Sequence, residues 1–506
     1  MAFKVVTFCL LLFAIFCALF TVCLFRTLFT FRSPKPEPCG SNHKQIVADQ
    51  NVLKRFSDAI KLRTISWEKG VYERDELAKF AALIKNSFPN IHSSKFITHE
   101  IVNNYSMLYT IKGSDSSLKP YLLLAHLDVV PVEVNKWIFP PFEGTIKDGY
   151  IYGRGSIDVK FSVMSIMEAL EYLLKNGFKP KRSFYISFGH DEEVLGADGA
   201  RMVANKLKIK GVGELEYLLD EGSPVLKNII LGVNTLVAMV STTEKGYATV
   251  RITVKGEPGH SSFPPFNLAV NKLAKIIAKF TPNAHRNMFG YGIEMDLLES
   301  IAPYASFPYK FVYSNLWLFE HILAYIFTLK PLTNSFIRTS TTIVKVNAGI
   351  KENVVPSEAE AVINHRINPS QSVKEIFEYD KYLAKDENVT IQLLDGYFEP
   401  LSISPTKDTF GFEKISKSIK EIFGDIPVVP GILIGNTDSR WYRNLTNCIY
   451  RFLPVVLTED DLKGVHGHNE RLSVSNYENS INFYHHLILN SNEKHILQKK
   501  KIKSEL

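Results

Sequence analysis

Cysteine is scarce where it would matter. Of the five cysteines, Cys9, Cys17 and Cys23 fall in one apolar stretch, so only Cys39 and Cys448 serve the rest of the chain. That excludes a disulfide scaffold and a thiolate metal site. A single Cys39–Cys448 bridge stays open, with nothing in the sequence to support it. An excess of one charge sign is also missing: Lys and Arg number 59 against 52 Asp and Glu, a net charge of +7. Part of that excess is a terminal cluster, Lys499, Lys500, Lys501 and Lys503, which reads as a solvated tail. No basic groove interleaved with aromatics is present, so nucleic acid is not expected as a partner. What remains is ordinary globular composition, with 506 residues giving room for two or three domains.

One long apolar run stands out. Residues 5–25 carry no charge and are interrupted only by Thr7 and Thr21. That length spans a bilayer and exceeds the usual core of a signal peptide. No small-residue cleavage site follows. An uncleaved signal anchor over 1–32 is the first expectation and a cleaved signal the second. The flanking charges, Lys4 before and Arg26, Arg32 and Lys35 after, do not favour a lumenal C-terminus. Against them stand three glycosylation acceptors, at Asn104, Asn388 and Asn444. The expectation is therefore the secretory pathway, lumenal or extracellular. The closing Lys503-Ser504-Glu505-Leu506 resembles a retrieval signal of the endoplasmic reticulum, which would work only from the lumen.

Beyond a proline-containing linker the chain repeats one pattern, an apolar run ending in chemistry-bearing side chains. Tyr121-Leu122-Leu123-Leu124-Ala125 reads as a strand buried on both faces and runs into His126-Leu127-Asp128. On an extended backbone His126 and Asp128 project to one side. Ser183-Phe184-Tyr185-Ile186-Ser187 leads to His190-Asp191-Glu192-Glu193, three consecutive carboxylates that repel one another unless a cation relieves them. Leu215–Leu219 leads to Asp220-Glu221-Gly222. Asp158 sits in a glycine-rich turn at the start of a predicted helix, whose apolar face is Val163, Ile166, Met167, Leu170, Leu173 and Leu174. Strand-then-acid units separated by helices describe an α/β sheet with one polar rim.

The pattern changes near residue 247. Val250, Ile252 and Val254 alternate with Thr249, Arg251 and Thr253, as in a half-exposed strand. A helix and two more strand candidates follow, an α+β grouping inserted into the first domain. Residues 284–335 are rich in aromatics, more often a core or an interface than a ligand pocket. From about Asn368 the α/β pattern resumes, with 389–394 as a strand.

Two imidazoles and three carboxylates, His126, Asp158, Glu193, Asp220 and His466, suit divalent zinc, cobalt or manganese. They exceed one tetrahedral zinc and fit two ions bridged by a carboxylate. One acid must stay off the metals to take a proton from water, and adjacent Glu192 and Glu193 provide one of each. Spacing alone does not say which.

These pieces, with Gly153-Arg154-Gly155-Ser156-Ile157-Asp158 and His466-Gly467-His468-Asn469-Glu470, resemble the dizinc aminoacylase and carboxypeptidase family in order and over nearly the whole chain. The resemblance implies a zinc-peptidase-like α/β catalytic domain with a mixed central sheet over 33–246 and 368–506, and an inserted α+β lid and dimerisation domain over 247–367. It implies two zinc ions per subunit. His126, Asp158, Glu193, Asp220 and His466 would be the ligands, with Asp158 bridging. Glu192 would be the general base and Asp128 the acid that tunes His126. Asp220 is chosen over adjacent Glu221, and His466 over His468. His260 would reach the site from the lid and stabilise an oxyanion. Asn353, Arg366 and Arg440 would grip a substrate α-carboxylate. A homodimer is part of the same expectation. Within the family the likeness is greatest to enzymes that cleave or form N-fatty-acyl amino acids and to carboxypeptidase S. The implied reaction is hydrolysis of the amide of an N-acyl amino acid, with removal of a C-terminal amino acid from peptides as the alternative.

Overall fold

A computed structural model describes residues 2–34, 44–227 and 229–493. Cys39 and the retrieval signal expected at Lys503–Leu506 lie outside the described residues. The chain divides into two units, one made of 34–242, 404–430 and 437–506, the other of 1–33, 243–403 and 431–436.

The first unit carries the large sheet. Its eight strands run in the order Val428–Leu433, Val237–Glu244, Ile449–Leu457, Leu218–Leu226, Tyr121–His126, Phe184–Gly189, Ser106–Ile111 and Ile97–Val102. The pairs Tyr121–His126 with Phe184–Gly189, Tyr121–His126 with Leu218–Leu226, and Leu218–Leu226 with Ile449–Leu457 are parallel. The outer pairs are antiparallel, so the sheet is mixed. Strand Tyr121–His126 is buried along its whole length, as its unbroken apolar run requires. Helix Lys160–Lys175 is buried over most of its surface and packs with Val474–Ser491 on one side of the sheet.

The second unit holds a four-stranded antiparallel sheet, Ser340–Ala348, Glu358–Ile367, Gly246–Lys255 and Val389–Leu393. Helices Ala269–Ile277 and Val373–Leu383 belong to the same unit. The expected return to the first unit at 368 is corrected here. Strand Val389–Leu393 pairs with Gly246–Lys255, Ile391 opposite Ile252, so the stretch to 403 stays with the insert. An alternating strand suits any half-exposed sheet edge, and pattern alone does not choose the sheet.

The N-terminal helix Ala2–Phe25 continues through Arg26–Thr30. It is the one described helix long and apolar enough to cross a membrane, and most of it is exposed. Its far end is attached to the aromatic segment of its own unit, so the stretch expected as an anchor over 1–32 is tied to the fold. Asn315 Nδ2 donates to the Cys23 carbonyl at 3.1 Å and to Thr27 Oγ1 at 3.2 Å, and Arg26 Nε donates to the Ser314 carbonyl at 3.2 Å. The rings of Phe20 and Phe311 lie 5.7 Å apart. Helix Leu316–Phe327, by contrast, leaves Trp317, Leu318, Ile322, Tyr325 and Ile326 exposed.

Candidate metal centre

The parallel strands of the first unit deliver the site at their carboxyl ends, where an open α/β sheet places its ligands. His126 ends one strand. Glu192 and Glu193 occupy the single helical turn after Phe184–Gly189. Asp220 and Glu221 lie in Leu218–Leu226. Asp158 precedes helix Lys160–Lys175. His466 comes from the loop before Arg471–Ser473, in a left-handed conformation with φ of 56°.

Asp158 stands between two imidazoles. Its Oδ1 is 3.1 Å from His126 Nε2 and its Oδ2 is 3.0 Å from His466 Nε2. Each imidazole has a second carboxylate beside it. Glu221 Oε1 is 3.4 Å from His126 Nε2, and Glu193 Oε2 is 3.1 Å from His466 Nε2. Glu193 Oε1 is buried and has no hydrogen-bond partner among the described residues. Glu192 also approaches the His126 and Glu221 group.

Asp220 does not join this group, which corrects the expectation. Its carboxylate accepts from the Ser439 N–H at 2.8 Å and from the Glu221 N–H at 2.9 Å. Consecutive residues on a strand face opposite ways, so only one of the pair can meet His126. That one is Glu221. The continuous run Leu218-Leu219-Asp220-Glu221 does not show which face of the strand is which.

A ring of fixed groups holds the donors in place. His126 Nδ1 lies 3.0 Å from the Asp128 carbonyl and 3.3 Å from its Oδ1. The Asp128 carboxylate accepts from the N–H groups of Glu192 and Glu193 at 3.1 and 3.2 Å, so one buried acid ties the first strand end to the second. Glu470 does the same for Asp158. It pairs with Arg154 at 2.7 Å and accepts from the N–H groups of Gly155, Ile157 and Asp158. Arg440 Nη2 donates to Glu192 Oε1 at 3.3 Å. Asp438 lies buried between two glycines. A Cβ on Gly196 would fall 2.0 Å from its Oδ1, and one on Gly189 2.4 Å from its Oδ2. Neither oxygen has a hydrogen-bond partner among the described residues.

Crowded acids in a dry site resist ionisation. Burial, then the charge of Glu221, pushes Glu192 well above the usual carboxylate range. Burial, then Asp158, pushes Glu193 to about 7, and burial raises Glu221 to about 8. The contacts of Asp158 and then Glu193 carry His466 up to about 10. Such a set repels itself until a multivalent cation enters it. Two imidazoles, a carboxylate facing both, and a carboxylate oxygen buried without a partner form a donor set that fits divalent metal.

The residues expected in a lid occupy the other unit. Gly259–His260 pairs antiparallel with Val354–Val355, His260 opposite Val354, which brings exposed His260 near Asn353, whose carbonyl accepts from the Ser261 N–H at 3.5 Å. Arg366 lies over the Tyr247 ring, 5.0 Å from its centre, and donates to Asn436. Arg440 belongs to the first unit, at Glu192. The expected functional residues thus form two groups: His126, Asp128, Asp158, Glu192, Glu193, Arg440 and His466 in one unit, His260, Asn353 and Arg366 in the other. Glu221 is the alternative that the sequence reading passes over for Asp220, and Asp438 is not singled out by sequence. Asp438 had a signal in the Thr437-Asp438-Ser439-Arg440 stretch, but nothing there marks its side chain as buried.

The sequence signature described as peptidase family M20/M25/M40 matches residues 122–490. The chain is 43% identical over 447 residues to the N-fatty-acyl-amino acid synthase/hydrolase PM20D1 of Xenopus tropicalis, covering 88% of this chain and 87% of that protein. It is 40% identical over 473 residues to a probable carboxypeptidase S-like 2 of Dictyostelium discoideum, covering 92% and 90%. In three dimensions it resembles a metallo-carboxypeptidase of the M20 family from Sulfolobus solfataricus, with a TM-score of 0.65, 17% identity, and coverage of 88% and 99%.

Proposed function

We infer from a firm premise, that this chain belongs to peptidase family M20/M25/M40, that it hydrolyses, and at high reactant levels forms, the amide bond of N-acyl amino acids, with N-fatty-acyl amino acids as the substrate class. The enzyme is a metal-dependent hydrolase of peptide-like amides. The observation that carries the reading is the Asp158 carboxylate, with one oxygen toward His126 and the other toward His466.

In this reading His126, Asp158 and Glu221 would hold one zinc ion and His466, Asp158 and Glu193 a second. When bound, the pair supplies Lewis acidity, which acidifies water and polarises a carbonyl oxygen. The chain's own residues do the rest. Glu192 takes the proton from the attacking water and passes it to the leaving amine. Asp128 fixes the ring of His126 and the backbone under Glu192. Arg440 holds Glu192 in the substrate-free state. Arg366 and Asn353 bind the α-carboxylate, and His260 donates to the developing oxyanion. The inserted unit would serve as lid and dimer interface. The acyl chain is assigned to the aromatic-rich segment 284–335, whose exposed rings suit an apolar ligand. The N-terminal helix is read as a signal anchor that keeps the enzyme in the secretory pathway.

The test uses the full chain in detergent, with a long-chain N-acyl phenylalanine and a blocked dipeptide ending in phenylalanine, each with and without chelator. Chelator-sensitive preference for the fatty-acyl amide is expected. Preference for the dipeptide would replace this reading with the carboxypeptidase, which similarity to the Dictyostelium protein favours.

A further inference from the structure

A second group of metal donors lies inside the inserted unit, apart from the residues used above. His285 comes from the loop ahead of helix Glu294–Ile301, His365 from near the end of strand Glu358–Ile367, and Asp380 from helix Val373–Leu383. All three side chains are buried, at 2, 0 and 0% exposure. His365 Nε2 is 3.0 Å from Asp380 Oδ2, and His285 Nε2 is 3.5 Å from Asp380 Oδ1.

These separations would suit hydrogen bonds, but the directions do not. Neither imidazole Nε2 and neither Asp380 oxygen has a hydrogen-bond partner among the described residues. Two nitrogens and two oxygens crowd together without lying along one another's N–H axes. Donor atoms aimed at a common point take that arrangement. In a tetrahedral site with bonds of about 2.0–2.1 Å, neighbouring ligand atoms are about 3.3 Å apart. The ring tautomer of His365 points the same way. His365 Nδ1 lies 3.2 Å from Thr341 Oγ1. If that nitrogen donates to the hydroxyl, Nε2 presents a lone pair to the carboxylate, which repels it unless a cation lies between. A hydrogen bond on the far ring nitrogen is also how a metal-bound imidazole is usually oriented. Leaving four polar atoms without a directed hydrogen bond in a dry core is costly otherwise.

We propose that His285, His365 and Asp380 form a separate, closed zinc site in the inserted unit. Two imidazoles and a carboxylate are donors that zinc accepts, with a buried water as the fourth ligand. The site joins loop, strand and helix. It fastens the start of the aromatic segment at His285 to the four-stranded sheet, and its role is structural.

The experiment is diffraction from crystals of the full chain, equilibrated with zinc, on both sides of the zinc absorption edge. An anomalous peak bonded to His285, His365 and Asp380 is expected. No peak there in zinc-equilibrated crystals would overturn the proposal, whatever the His126–His466 group shows. In solution, His365→Gln and Asp380→Asn should each lower bound zinc by one equivalent per chain relative to wild type. Equal zinc content in folded variants would also overturn it. The diffraction uses the unaltered protein, so it stands even if neither variant folds. A peak confined to this triad would support the site and count separately against the dimetal reading of the other.

Discussion

Glu192 has no share in the contacts that join Asp158 to the two histidines, which leaves it available for proton transfer. Glu192→Gln keeps the shape and removes the base. We expect metal content unchanged and turnover lower by at least about 100-fold, measured by elemental analysis and steady-state hydrolysis. Normal turnover in a fully metallated variant would take Glu192 out of its role. The pair at 220 and 221 gives a sharper contrast. Glu221→Gln should weaken metal binding and activity together, since Glu221 stands 3.4 Å from His126. Asp220→Asn should instead act on stability, because that carboxylate accepts backbone N–H groups from Ser439 and Glu221. If Asp220→Asn alone released metal, the assignment of Glu221 would fail. Lys245, in the inserted unit, makes a third case. Burial, then the charge of Arg366, lowers it to about 7, and its Nζ donates to the Arg338 carbonyl and the Ser340 hydroxyl at 2.8 and 2.9 Å. In the unfolded chain a lysine keeps its proton to about pH 10.4. Between those values the unfolded state binds more protons, so stability rises with pH, by on the order of 1 kcal/mol per unit. Lys245→Met should lose that rise. Urea midpoints for wild type and variant, taken on either side of neutral pH, would show it, and parallel midpoints would contradict it.

At the scale of elements, the site depends on turns that permit close approach. Gly196 has φ of +65°, and its missing Cβ leaves room for the Asp438 carboxylate. Gly196→Ala adds both a strained backbone and an overlap. A loss of about 1–3 kcal/mol in unfolding free energy is expected, with the denaturant midpoint lowered accordingly. An unchanged midpoint would mean that Asp438 moves aside at little cost. Most of the site was legible at this scale because strands buried on both faces announce themselves as unbroken apolar runs. His126, Glu192 and Glu193 follow directly from where such runs stop. Asp220 misled because the run into it lacks alternation, and facing is then invisible. The strand Val389–Leu393 misled for the opposite reason. Its alternation is clear, but a half-buried strand fits many partners, and pairing is decided by contacts distant in sequence. The triad of His285, His365 and Asp380 left no trace at all, since its members are 80 and 15 positions apart along the chain and meet only on folding.

For the whole molecule, the inserted unit brings together features that the sequence kept apart: the apolar N-terminal helix, the aromatic segment and the four-stranded sheet. Substituting Trp317 and Tyr325 with Ser should reduce turnover of long-chain N-acyl substrates more than of short-chain ones, since both side chains are exposed and neither belongs to the group around Asp158. Equal losses would remove the segment from acyl binding. The attachment of helix Ala2–Phe25 has a practical side. Asn315 shares its amide among the Cys23 carbonyl, Thr27 and the Phe311 carbonyl, and Phe20 covers Phe311. Trimming the first 33 residues to obtain a freely soluble enzyme would strip two of that amide's three acceptors and uncover that ring together. The shortened protein would trade one greasy surface for another, and the preparation that behaves best in the test tube would be the one that keeps its oily handle and its detergent.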